Sequence, residues 1–96
     1  MINISYRMVA GVTSSTVYTA TENGITTMLS LVNITGSDAT VNVRRSGLLG
    51  SDIRLIAKDT VIKSGEAAYI DNRVLKTGQA IIVETTQDLD IDLNIT

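Results

Sequence analysis

Asp88-Leu89-Asp90-Ile91-Asp92-Leu93-Asn94-Ile95 sets the fold class of this chain. Apolar and acidic or amide residues alternate without a break, a period of two that no helix presents. Such a strand buries one face and leaves an acidic face in water. Ala39-Thr40-Val41-Asn42-Val43-Arg44 reads the same way with Val41 and Val43 inward, and Ile53 to Lys58 puts Ile53, Leu55 and Ala57 on one face. Ala80-Ile81-Ile82-Val83 is continuously apolar, as expected of a central strand or one covered on both sides. Met28 to Asn33 is a further buried strand. Val, Ile and Thr make up about a third of the chain, and branching at Cβ suits a pleated surface.

Turn signals separate these runs. Asn23-Gly24 suits a tight two-residue turn, followed by Thr35-Gly36-Ser37-Asp38, Ser64-Gly65-Glu66, Asp71-Asn72 and Lys76-Thr77-Gly78. Ser46 to Ser51 is the least regular stretch and reads as a loop. No long stretch keeps a helical apolar stripe. The expectation is an all-β chain: a single antiparallel β-sandwich over residues 1–96, jelly-roll or Ig-like, with about eight short strands and no substantial helix. Met1 to Ala10 is either its first strand or an arm that docks on a neighbour's sheet edge.

Composition narrows the function. The 96 residues are 44% hydrophobic and 19% charged, with net charge -2. Cys, His, Pro, Trp and Phe are all absent, and Tyr6, Tyr18 and Tyr69 are the only aromatic residues. Without Cys there is no disulfide or thiolate zinc site, and without His the commonest general base and metal ligand are missing. No catalytic residue, metal or cofactor is predicted. A mildly acidic chain does not suit direct nucleic-acid binding, which draws on clustered Lys and Arg. No apolar run is long enough to span a bilayer, so no membrane association is expected, and Met1 to Arg7 lacks the apolar core of a secretory signal.

Candidate sites are few. Asp88, Asp90 and Asp92 share one face, but a straight strand spreads carboxylates too far apart to wrap a calcium ion. They read as a solvated face guarding an edge strand, or as a surface for a basic neighbour. Arg44-Arg45, with Arg54 and Lys58 on an adjacent strand, reads as a solvated face with cross-strand pairs. Asn3-Ile4-Ser5, Asn33-Ile34-Thr35 and Asn94-Ile95-Thr96 match the glycosylation pattern and arise readily by chance in a Thr-rich chain. Leu48-Leu49, flanked by Gly47 and Gly50, reads either as an exposed tip that plugs into a partner or as a cap on the sandwich. Ile2, Ile4, Tyr6 and Met8 line one side of the Met1 to Ala10 segment, as in a strand. The candidate protein-interface residues are therefore Ile2, Ile4, Tyr6, Leu48, Leu49, Asp88, Asp90 and Asp92.

The runs Val17-Tyr18-Thr19-Ala20-Thr21, Thr26 to Asn33, Thr35 to Val43, Val61 to Glu66 and Val74 to Val83 follow one another in a familiar order. Over about residues 16 to 86 they resemble a loose group of small all-β virion proteins of tailed bacteriophages. Two turns that carry proline in that group read Glu22-Asn23-Gly24 and Lys63-Ser64-Gly65 in this chain. The resemblance implies a non-enzymatic building block of the virion, made in the host bacterial cytoplasm and present in many copies. It implies a capsid decoration or cement protein stabilising the head by protein–protein contacts, or else a neck or tail protein. Its partners would be the major capsid protein or neck and tail proteins, together with copies of itself. A carbohydrate-binding receptor-recognition module is the competing expectation, against which the scarcity of aromatic residues counts.

Overall fold

A computed structural model describes residues 2–10, 14–47 and 52–96. Among them are nine strands and no helix: β1 (Ile2–Met8), β2 (Ser15–Thr19), β3 (Ile25–Asn33), β4 (Ala39–Arg45), β5 (Ile53–Arg54), β6 (Thr60–Ile62), β7 (Ala67–Leu75), β8 (Ala80–Thr85) and β9 (Leu89–Ile95). They form two antiparallel sheets. The first, sheet A, has the order β1-β9-β3-β7; the second, sheet B, has the order β2-β8-β4-β5, with β6 also paired to β4.

This order is a jelly roll. Ile2 faces Ile95, Thr16 faces Ile82, Thr27 faces Arg73 and Arg45 faces Ile53. Every such pair lies nearly equidistant from the middle of the chain, so the protein is one long hairpin wound into two layers. The β3–β9 and β4–β8 ladders stitch the windings together.

Because the hairpin is wound as a unit, its crossovers travel in pairs, and polar side chains tie each pair. Between β1–β2 and β8–β9, Asp88 Oδ1 accepts from the Ala10 N–H at 2.7 Å. Between β2–β3 and β7–β8, Asn23 Oδ1 accepts from the N–H of Thr77 at 2.9 Å and from its hydroxyl at 3.1 Å. Between β3–β4 and β6–β7, Asn33 Nδ2 donates to the carbonyls of Ser37 and Ile62 at 2.7 and 2.9 Å, and its Oδ1 accepts from the N–H and hydroxyl of Thr35. Asn33 is fully buried, yet its amide is saturated, as a buried polar group must be.

The core lies between the sheets and is aliphatic. Leu29 and Leu31 of β3, Val41 and Val43 of β4, Ile81 and Val83 of β8, and Leu89, Ile91, Leu93 and Ile95 of β9 are all buried in one cluster with Met8 and Leu75. Each side chain contributes roughly 1.5 to 3 kcal/mol on burial. The apolar run at Ala80 to Val83 is explained by position: β8 is central, between β2 and β4.

Four local expectations are corrected. Asn23-Gly24 does not close a hairpin, because β2 and β3 belong to different sheets; Gly24, at φ 80°, turns the crossover. Asp71-Asn72 is no turn but a β-bulge inside β7, where the register with β3 shifts and Asn72 takes φ 54°. Asn tolerates that conformation better than other non-glycine residues, so the same sequence signal serves a bulge as well as a turn. Ile53 to Lys58 is not one strand: β5 ends at Arg54, Leu55 alone of the three predicted inward residues is buried, and Ile53 is half exposed. β9, finally, is not an edge strand; it lies between β1 and β3.

Candidate interaction surfaces

The alternation along β9 sends Asp90, Asp92 and Asn94 to the outer face of sheet A, and β1 answers with a polar row of its own. Register sets Arg7 opposite Asp90, Ser5 opposite Asp92 and Asn3 opposite Asn94. Arg7 grips Asp90 through Nε at 2.7 Å and Nη2 at 3.1 Å. That hydrogen bond and the attraction of the guanidinium hold the Asp90 carboxyl below the ordinary aspartate range. Asp92 Oδ1 accepts from Asn3 Nδ2 at 2.9 Å and from the Ser5 hydroxyl at 3.2 Å, and Asn3 Nδ2 also donates to Asn94 Oδ1. On the other side of β9, Ser30 is set opposite Asp92 and Tyr69 opposite Ser30.

Two shallow hollows lie on this face. One, of about 480 Å³, is lined by Ser5, Arg7, Ser30, Val32, Asp90 and Asp92. The other, of about 240 Å³, is lined by Met28, Ser30, Tyr69, Asp71, Asp92 and Asn94. Tyr69 stands beside it with 71% of its surface exposed. The bulge at Asn72 lies beside Asp71, a placement typical of bulges that re-aim a neighbouring side chain.

Sheet B presents a different outer face. Arg44 bridges Asp52 at 2.7 Å and Glu84, which raises its pKa further above the ordinary arginine value. Arg54 Nη1 donates to Asn42 Oδ1 at 2.8 Å, and Asn42 Nδ2 donates to Asp59 at 3.0 Å. The Arg44-Arg45 doublet is split, since successive strand residues face opposite sides: Arg44 joins this network, while Arg45 reaches the carbonyl of Val74 on sheet A. Acidic and amide partners thus stand among the basic residues of this face.

Of the predicted interface residues, the β1–β9 pair divides Ile4 and Tyr6, on the core face opposite Leu93 and Ile91, from Asp90 and Asp92 on the outer face. Ile4 packs partly against the core, and the Tyr6 hydroxyl lies 2.9 Å from Ser15 Oγ on β2. Ile2 pairs through its backbone with Ile95. Asp88 stands before β9, in the crossover it ties. Leu48 and Leu49 lie outside the described residues. Tyr69, Ser30 and Asp71 were not singled out by the sequence. Ser30 sits inside an apolar run and Tyr69 in a plain alternation, so only the pairing of distant strands brings them to the β9 carboxylates.

No known family model and no curated protein matches the chain. Among solved structures it is similar to the Podospora anserina GH26-CBM35 beta-(1,4)-mannanase, at 14% identity and a TM-score of 0.43. That alignment covers 98% of this chain and 19% of the mannanase chain.

Proposed function

We propose that this protein is a non-enzymatic structural component of a tailed-phage virion, working through side-by-side protein contacts, with capsid decoration the first assignment and a neck or tail position the second. The observation that carries this reading is where the exposed apolar side chains sit. Tyr6 and Val9 lie at the β1 flank, and Ile53, Val61, Tyr69 and Val74 lie on β5, β6 and β7 at the opposite flank, while Met28 and Ile34 are placed elsewhere. A domain with apolar residues on both flanks is suited to contact a neighbour on each side, as repeated arrays require. The sequence resemblance over residues 16 to 86 agrees with that use.

Incorporation into particles tests it. Purified protein carrying the substitutions Tyr69→Ser and Val74→Asp should keep its β-sheet circular dichroism yet fail to load onto particles that lack the native copy. Loading at the native level would remove the flank from the account.

One observation favours a second reading, a carbohydrate-binding module. The hollow beside exposed Tyr69 offers the Ser30 hydroxyl, the Asn94 amide and the Asp71 and Asp92 carboxylates. An aromatic ring beside paired donors and acceptors is the chemistry that a sugar ring needs. A glycan array separates the two: binding that disappears in Tyr69→Ala supports the module, and an array without hits removes it.

A further inference from the structure

The edges of the two sheets are unequal. The register of β2 on β8 breaks between Thr16 and Tyr18. β7 is bulged at Asn72, and β5 and β6 are two short pieces of two and three residues on the same side of β4. Bulges and short strands are the devices that stop an edge from pairing with another chain. β1 has neither. It runs for seven residues in unbroken register with β9, contains no Lys or Pro, and its one charged side chain, Arg7, is held by Asp90 on the sheet's outer face.

We infer that the free edge of β1 pairs antiparallel with β1 of a second copy of this chain, about a two-fold axis at Ser5, joining the two A sheets into one. The sequence of the strand is self-complementary in that register. Ser5 meets its own counterpart, Asn3 meets Arg7 of the second copy, and Ile4 meets Tyr6, so no two like charges oppose one another. The contact brings Tyr6, 41% exposed in the single chain, against Ile4 of the second copy. A shift by one residue would set Ile4 against Ser5 and join the core face of one sheet to the outer face of the other. Centring on Ser5 keeps all seven residues paired. This edge contact is one of the side-by-side contacts proposed above and rests on that reading only for its place in a particle.

Sedimentation equilibrium on the full chain tests the pairing. The native protein should dimerise with rising concentration, and Ser5→Lys should be monomeric. Two lysines would meet at the axis, while within one chain the new ammonium lies beside Asp92 and the fold is retained. Ser5→Cys gives a second, independent test, because the chain has no cysteine of its own. Mild oxidation should cross-link it into a covalent dimer and leave a Tyr69→Cys control uncross-linked. Should Ser5→Lys fail to fold by circular dichroism, the cross-link decides. A native chain that stays monomeric, a dimer that survives Ser5→Lys, or cross-linking at Tyr69→Cys rather than Ser5→Cys overturns the pairing. The two proposals fail separately. A dimer with no place in any particle would sink the virion role and leave this contact standing; particle-bound chains that never cross-link through Ser5→Cys would do the reverse.

Discussion

Arg45 and Arg73 cross the same flank of the sandwich in opposite directions. From sheet B, Arg45 Nη1 donates to the carbonyl of Val74 on β7 at 3.2 Å; from sheet A, Arg73 Nη2 donates to the carbonyl of Leu55 just after β5 at 3.3 Å. The two guanidinium groups therefore satisfy carbonyls where each sheet ends: Arg45 straps β4 to β7, and Arg73 straps the chain leaving β5 to the opposite layer. The Arg45 Nε lies buried without a partner, so that strap carries a desolvation cost which the Arg73 strap does not share.

Arg73→Ala should release β5 without unfolding the domain. The expected loss is about 1 kcal/mol, in keeping with one charge-assisted bond in a half-solvated site. Hydrogen exchange measures it: the amide of Leu55, bonded to the Val43 carbonyl at 2.9 Å, should exchange faster while the β3 and β9 amides keep their protection.

Asn33 offers the largest single effect outside the aliphatic core. Asn33→Ala removes the side-chain partner of the Ile62 carbonyl and the Thr35 N–H and leaves the Ser37 carbonyl to the Thr35 hydroxyl alone, at a cost of about 2 to 4 kcal/mol. Urea unfolding monitored by circular dichroism should show the midpoint fall with the slope unchanged.

At the β7 bulge the backbone decides. Asn72 at φ 54° should accept Gly with little change, whereas Asn72→Val should cost about 1 to 2 kcal/mol because a branched Cβ clashes in the left-handed region. Thermal unfolding of the two variants side by side gives the comparison.

The Arg7–Asp90 pair sets a pH dependence. Asp90 has its pKa lowered by the Arg7 hydrogen bond, so the pair's contribution is fully present above the pKa of an unfolded aspartate and fades as pH falls through the lower folded value. Asp90→Asn should therefore melt slightly below the native protein at neutral pH and level with it in strong acid. Both side chains are exposed, so the neutral-pH gap should be small and should shrink in salt.

The sequence carried the layers better than their connections. Alternation at Leu89 to Ile95 and at Ala39 to Arg44 located buried faces residue by residue, because period two is a local property of a strand. Pairing partners are not local. Nothing within Asp88 to Ile95 says whether the strand lies at an edge or between β1 and β3, and so from sequence its carboxylates read either as guards of an edge or as a surface for a basic neighbour. Asp71-Asn72 misled for a related reason: the left-handed preference of Asn is legible, but whether the chain reverses or continues through a bulge depends on the neighbouring strand. The Asn33-Ile34-Thr35 triplet shows the converse. As a glycosylation pattern it carried no weight, yet its Asn is the buried tie between two crossovers.

The virion assignment stands or falls on stoichiometry. Quantitative mass spectrometry of gradient-purified phage particles from the source that encodes this chain should find it at a fixed number of copies per particle. On the order of hundreds would match a symmetric capsid shell, and a single ring's worth would match the neck or tail. Its absence from purified particles, with the protein free in the lysate, would contradict the account.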